Sequence, residues 1–234
     1  ELPSNGFVVK TIVTTELARI IAEAYNIELV EVLTGFKFIG EKIKQLDEFG
    51  DKKYLFGFEE SYGYLAGTFA RDKDAVVASM LIAEMAAYYK SRGLTLYDGL
   101  IEILEKYGYT LEGITSFTLK GKDGVEKIKS ALTNLREKQV VKFGEYEAVA
   151  VRDYLTSERY EVATGAREKL TLVQSDVLYY ELKDKAWFCI RPSGTEPKIK
   201  IYYGATESSM GAAKEKLKHL QDNVLSVIEP LLKD

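Results

Sequence analysis

Residues 7–58 alternate short β-branched or aromatic runs with stretches whose apolar side chains recur at helical spacing, and this rhythm leaves few folds open. Residues 7–13, 27–33 and 54–58 read as strands. Between them, Leu17, Ile20, Ile21 and Ala24 mark one helical face over residues 16–25, with Thr14 or Thr15 placed to cap it. Ile39, Ile43 and Leu46 mark another over residues 36–46. Strands separated by helices of this length form βαβ units around a mostly parallel sheet.

Residues 74–92 form the longest apolar helical stretch of this half, expected to be largely buried with Val77, Met80, Leu81 and Met85 inward. Gly93 stops it, and Thr95 caps a further helix that carries Leu96, Leu100, Ile103 and Leu104 on one face. The pattern then changes, which sets the expected boundary between an α/β domain over residues 1–108 and a smaller α+β domain over 109–234. In the second, strands are expected at 114–120, 147–151, 177–182, 186–190 and 198–203, with helices at 125–136 and 212–232. That is an antiparallel sheet covered by two helices. Lys183-Asp184-Lys185 suits a hairpin, and the polar stretch 151–170 reads as a long loop.

The net charge of −4, from 32 basic and 36 acidic residues, gives no global field favouring nucleic acid or an anionic membrane. The one cysteine, Cys189, stands in an apolar run and rules out an intrachain disulfide. With no signal-like start and no long apolar stretch, the expectation is a cytoplasmic protein. The first residues, Glu1-Leu2-Pro3-Ser4, lack methionine and read as a cut end of a longer polypeptide.

Four short segments could carry chemistry. Arg191-Pro192-Ser193-Gly194-Thr195-Glu196-Pro197 joins two strand-like runs and combines a guanidinium, two hydroxyls and a glycine. A guanidinium fork suits phosphate, and glycine lets backbone N–H groups approach an anion. The same composition also makes an ordinary turn. Gly57-Phe58-Glu59-Glu60-Ser61-Tyr62-Gly63 follows the third strand. In extended chain Glu59 and Ser61 share a side while Glu60 points away. A carboxylate beside a hydroxyl suits sugar hydroxyls, and a solvated acidic turn is the alternative. Arg71-Asp72-Lys73-Asp74 precedes the long helix, where Asp72 or Asp74 can serve as N-cap and Lys73 can reach a ligand. Thr34-Gly35-Phe36-Lys37 opens a helix whose N–H groups can meet a ligand, or is a simple cap. His219, the only histidine, lies in the last helix, and no nucleophilic triad or metal-ligand spacing is present.

In this order, the segments at 34–37, 57–63 and 191–197 resemble the α-D-phosphohexomutase family. Phe69-Ala70-Arg71-Asp72-Lys73-Asp74 is most similar to its bacterial phosphoglucomutase branch. The resemblance implies the third and fourth of four domains. It implies that Glu59 and Ser61 bind sugar hydroxyls, that Thr34, Gly35 and Lys73 lie near the sugar, and that Lys73 is an acid/base participant. Arg191, Ser193, Gly194 and Thr195 then hold the phosphate that is not transferred, with Lys200 where many relatives have arginine. The family's phosphoserine loop and its Mg²⁺-binding Asp-rich loop are missing, so the resemblance places the nucleophile and the metal in preceding domains of the same protein. The implied activity of the whole is interconversion of glucose 1-phosphate and glucose 6-phosphate through glucose 1,6-bisphosphate. Mannose or pentose phosphates, and a non-catalytic phosphosugar-binding module, are the alternatives.

Overall fold

A computed structural model describes residues 2–119, 121–194 and 196–233, and it divides into two compact units, Glu1–Tyr109 and Thr110–Asp234. The first unit holds β1 (Gly6–Thr11), α1 (Leu17–Ala24), β2 (Glu28–Val32), α2 (Phe36–Ile43), β3 (Lys53–Glu59), β4 (Gly63–Ala66), α3 (Ala75–Ser91) and α4 (Leu96–Tyr107). Its sheet runs β2-β1-β3-β4, with β1 parallel to both β2 and β3 and β4 antiparallel to β3. Strand β4 is absent from the sequence reading. Its four residues are too few to show a period.

Alternation along the strands sends Phe7, Val9, Tyr54 and Leu65 to one face, where Phe36, Ile39 and Ile43 of α2 close a buried core. Past Ile43 the helix widens into a π-type turn, Lys44–Glu48, so Leu46 packs only partly against that core. The opposite face carries α1 and an apolar groove lined by Val8, Ile21, Tyr25, Leu55, Phe56 and Phe58. Neither Thr14 nor Thr15 is the N-cap of α1. That position falls to Glu16, although the Thr15 hydroxyl accepts from the Leu17 N–H at 3.2 Å.

Helix α3 corrects a second expectation. It is apolar nearly all round, Asp74 caps it by accepting from the N–H groups of Val76 and Val77, and yet none of its residues is buried. Periodicity reports what a helix is able to bury. Whether a partner surface is present in the same chain is a separate matter. In α4 the Thr95–Asp98 capping box fixes the start, and of the expected face only Leu104 is fully buried.

The second unit holds β5 (Tyr109–Thr118, whose first residue belongs to the first unit), α5 (Lys122–Glu137), β6 (Lys142–Phe143), β7 (Tyr146–Asp153), β8 (Glu158–Glu161), β9 (Arg167–Lys169), β10 (Leu178–Leu182), β11 (Trp187–Pro192), β12 (Lys198–Glu207) and α6 (Met210–Lys233). Its eight-stranded sheet runs β5-β12-β11-β10-β7-β8-β9, with β6 beside β7. The core lies between one sheet face (Phe188, Ile190, Ile199, Ile201, Tyr203) and two helices, through Leu132 and Leu135 of α5 and Leu220, Val224 and Ile228 of α6. Residues 151–170 are not a loop. They finish β7 and form β8 and β9, held by opposite charges across the ribbon: Arg159–Glu168 at 3.2 Å and Arg167–Glu158 at 2.5 Å. Such strands carry no apolar alternation to read. Asp184 and Lys185 both take positive φ in the β10–β11 turn, the geometry of a tight hairpin. Cys189 is buried, and among the described residues no helix is long and apolar enough to cross a membrane.

Candidate functional site

In the first unit the three parallel strands end on one side, because Thr11 is level with Val32 of β2 and Lys10 with Phe58 of β3. The turns that follow β2 and β3 therefore rise from the carboxyl ends of strands flanking β1, where open α/β sheets carry their ligand sites. After β2, Thr34 is half-buried and Gly35 precedes α2 with φ of 119°, a backbone state that favours glycine. No side chain caps the helix start, so its first N–H groups are not taken by a cap.

The turn after β3 is a hairpin, not extended chain. Glu59 pairs with Gly63, residues 60–62 form the loop, and Tyr62 takes a positive φ of 63°. The side alternation expected for Glu59 and Ser61 therefore does not apply. A different restraint sets the carboxylate: a Cβ on Gly63 would lie 2.7 Å from Glu59 Oε1, so the Glu59 side chain lies across the space glycine leaves. Glu59 is half-buried and Ser61 exposed. Glu60, expected to point away, instead accepts from Thr11 Oγ1 at 3.0 Å and ties the turn to the end of β1.

That tie continues inward through residues the sequence reading missed. The Thr11 and Thr14 hydroxyls are 2.7 Å apart, and the Lys10 ammonium donates to the Thr14 carbonyl at 3.0 Å. Lys10 is fully buried and pairs with Glu16 at 2.8 Å and Glu31 at 3.0 Å. A buried ammonium needs such partners to offset its desolvation. Because Glu31 precedes the Thr34 turn by three residues, one lysine braces both turns. A lysine inside a β-branched strand was the available signal.

Lys73 is exposed, 3.1 Å from Asp72 Oδ1 and 5.6 Å from the Phe36 ring centroid, which places it beside the start of α2. The Lys73 backbone N–H and then its ammonium hold the Asp72 carboxyl below its ordinary range. The Asp74 N–H donates to the Tyr64 carbonyl at 2.8 Å, fastening this segment to β4.

In the second unit, the segment at 191–197 joins β11 to β12, and the Ser193 N–H closes it on the Lys198 carbonyl at 2.7 Å. Arg191 lies directly across from Lys200, on the face opposite the helix-packed core. Like charges so placed repel. Among the described residues neither has a carboxylate partner: Arg191 donates to the Tyr202 hydroxyl at 3.4 Å, and Glu196 pairs with Lys198 instead. Gly194 is exposed, and a Cβ there would meet nothing within 4 Å. Thr195 lies outside the described residues. His219 is on the surface, 3.4 Å from Glu145. The described residues contain no group of three or more His, Cys, Asp or Glu able to hold a metal ion.

Residues 1–107 match the signature of phosphoglucomutase/phosphomannomutase alpha/beta/alpha domain III, and residues 125–222 match that family's C-terminal domain. The chain belongs to the phosphoglucomutase/phosphomannomutase family. It is 38% identical over 197 residues to a phosphoglucomutase of Staphylococcus saprophyticus, covering 84% of this chain and 36% of that protein. With a phosphoglucomutase of Staphylococcus aureus (strain MRSA252) it shares 40% identity over 198 residues, 85% of this chain and 35% of the relative. The chain thus spans about a third of the length of the curated relatives it matches. The same fold occurs in parafusin, a phosphoglucomutase from Paramecium solved in an open form (TM-score 0.65, 18% identity, 95% of this chain and 37% of that one). It occurs also in a phosphoglucomutase/phosphomannomutase family protein from Burkholderia thailandensis (TM-score 0.54, 14% identity, 96% and 37%).

Proposed function

We propose that this chain is the sugar- and phosphate-binding part of a phosphoglucomutase that interconverts glucose 1-phosphate and glucose 6-phosphate through a phosphoserine enzyme and a glucose 1,6-bisphosphate intermediate. The observation that carries the reading is the Arg191–Lys200 cross-strand pair, without a carboxylate among the described residues, at the mouth of a hairpin with Gly194 open to approach. A phosphate ester supplies the charge this pair lacks, and the Arg191 fork donates to two of its oxygens. The Ser193 and Thr195 hydroxyls add donors.

Glu59 serves as acceptor for sugar hydroxyls and Ser61 as donor or acceptor, with Thr34 and Gly35 presenting backbone groups on the far side of β1. Lys73, whose ammonium lies 5.6 Å from the Phe36 ring centroid, then exchanges a proton with a sugar oxygen or balances phosphate charge. The phosphoserine and the Mg²⁺ belong, in this reading, to preceding domains that the chain does not contain. No step here is routed through them. The single buried cysteine agrees with a cytoplasmic setting.

Two measurements test the proposal. A coupled assay of the 234-residue chain alone should show no mutase turnover, and genuine turnover would contradict the missing machinery. Calorimetry with glucose 1-phosphate should give heat that free glucose at the same concentration does not. Equal heats would remove the phosphate from the recognition.

A further inference from the structure

Glycine is among the poorest helix formers, yet Gly40 stands in the middle of α2 and is buried there. Its φ is not positive, so backbone conformation does not call for glycine. The reason lies in what occupies the place of its side chain. A Cβ on Gly40 would lie 2.5 Å from the Arg71 carbonyl oxygen, and backbone does not swing aside as the end of a flexible side chain does. Gly40 is a seat on the helix into which the chain at Arg71 sinks.

The seat lies one helical turn beyond Phe36, on the same side of α2. Two residues on from Arg71, the Lys73 ammonium lies 5.6 Å from the Phe36 ring centroid. The segment is thus laid against two successive turns of α2, by its backbone at Gly40 and by its cation at Phe36. Further ties keep it there. The Arg71 guanidinium donates to the Thr68 carbonyl and, at 3.1 Å, to the Ala70 carbonyl, and it reaches Glu48 of the π-type turn at 3.5 Å. Ala70 packs against the core beneath α2, and the Asp74 N–H fastens the far end to the Tyr64 carbonyl.

We propose that Gly40 is a positioning residue for Lys73: the gap it leaves on α2 seats the Arg71 carbonyl and so sets where the lysine stands. The inference deepens the phosphosugar reading and rests on it. A lysine stem is flexible, so its ammonium is placed only as well as its backbone is. Proton transfer needs the partner atom within hydrogen-bond reach, and a misplacement of about 1 Å costs roughly a hundredfold in rate. Gly40→Ala forces a shift of that order, because the Arg71 oxygen would have to retreat from 2.5 Å to the 3.4 Å at which ordinary contact begins.

Two measurements test it. The first uses the 234-residue chain without sugar. In lysine-labelled NMR spectra the Phe36 ring shifts the Lys73 side-chain signals, and Phe36→Leu gives their position without the ring. Gly40→Ala should carry the Lys73 signals most of the way to that position, while Lys37, 4.8 Å from the Phe38 ring centroid, stays where it was. Unmoved Lys73 signals in a cooperatively melting variant would overturn the proposal. Where Gly40→Ala does not melt cooperatively, Arg71→Ala loosens the same carbonyl without touching α2 and carries the same expectation. The second is a kinetic cycle in the proposed full-length mutase. Gly40→Ala should lower kcat/KM roughly tenfold or more with Lys73 present, and less than about twofold in the Lys73→Ala background. Equal losses in both backgrounds would make Gly40 merely structural and overturn the proposal. A silent Lys73→Ala would instead remove Lys73 from the phosphosugar reading, and the spectra alone would then decide whether Gly40 places it.

Discussion

Two pairs of cations face each other across strands of the same sheet, and only one pair is neutralised from within. Arg152 of β7 lies opposite Arg159 of β8, and both guanidinium groups converge on Glu181 of β10, at 2.5 Å from Arg152 and 2.8–2.9 Å from Arg159. Arg191 of β11 lies opposite Lys200 of β12 in the same register relation, with no carboxylate between them among the described residues. The first arrangement is structural: a third residue absorbs the repulsion, and the ribbon β7–β8–β9 closes around it. The second leaves the repulsion in place at a hairpin mouth. A cation pair left open costs stability unless something from outside completes it. The proposed phosphate site rests on this difference between the clusters, with no appeal to motif.

The largest expected effect breaks the open pair. In the proposed full-length mutase, Arg191→Ala should raise KM for glucose 1-phosphate about 10- to 100-fold, the equivalent of one charge-assisted hydrogen bond at about 1.5–3 kcal/mol. Folding stability should hold or improve slightly, because a repulsion is removed. Steady-state kinetics together with a urea melt check both halves of that expectation.

The matching change in the closed pair should do the reverse. Burial alone would push the Glu181 carboxyl up, but hydrogen bonds from Arg159 and the nearby Arg152 charge outweigh it and hold the carboxyl below its ordinary range. A carboxyl lowered in the folded state stabilises above the unfolded value, near 4.5, and loses that contribution as pH falls through the lowered one. Glu181→Gln should therefore lose on the order of 1.5 kcal/mol at pH 7 and show a flatter stability profile below about pH 4.5. Phosphosugar KM should not move. A variant that melts like the parent at pH 7 would show that Glu181 does not hold the pair.

The two glycine turns give the smallest and sharpest contrast. Gly63→Ala puts a Cβ 2.7 Å from Glu59 Oε1, the free end of a flexible side chain. The carboxylate should swing away at little cost to stability, weakening sugar binding by roughly tenfold for one lost hydrogen bond to a charged group. Gly194→Ala meets nothing, and its stability should stay within about 0.5 kcal/mol of the parent. Phosphate binding should fall only if the ligand closes on the backbone there. Calorimetry on both variants separates a glycine kept for a neighbour from one kept for a ligand.

Much of the scaffold was legible in the residues. Ile39 and Ile43 place α2 on the core because helical spacing and burial coincide there, and Leu220, Val224 and Ile228 do the same for α6. The β8–β9 ribbon was not, because Arg159, Glu158, Glu168 and Arg167 hold it by charge across strands where period-two apolar alternation would be the readable mark. The turn at 60–62 was misjudged since Tyr62 adopts positive φ without being glycine. Helix α3 was read as buried from its apolar spacing, and in this chain Val77 and Leu81 are only half-buried while Met80 and Met85 are exposed. At the candidate site the residue types at 59, 61, 191 and 200 were visible. The brace from Lys10 through Thr14 and Thr11 to Glu60 was not, because it joins residues 49 positions apart.

The central claim is that Arg191 and Lys200 form an anion cradle while Arg152 and Arg159 do not. Backbone and arginine side-chain NMR of the chain, titrated with inorganic phosphate at constant ionic strength, tests it directly. The account predicts saturable shifts confined to residues near 191–200, abolished by Arg191→Ala, with the Arg152 and Arg159 signals unmoved. Shifts of equal size at both clusters, or none at 191–200, would contradict it.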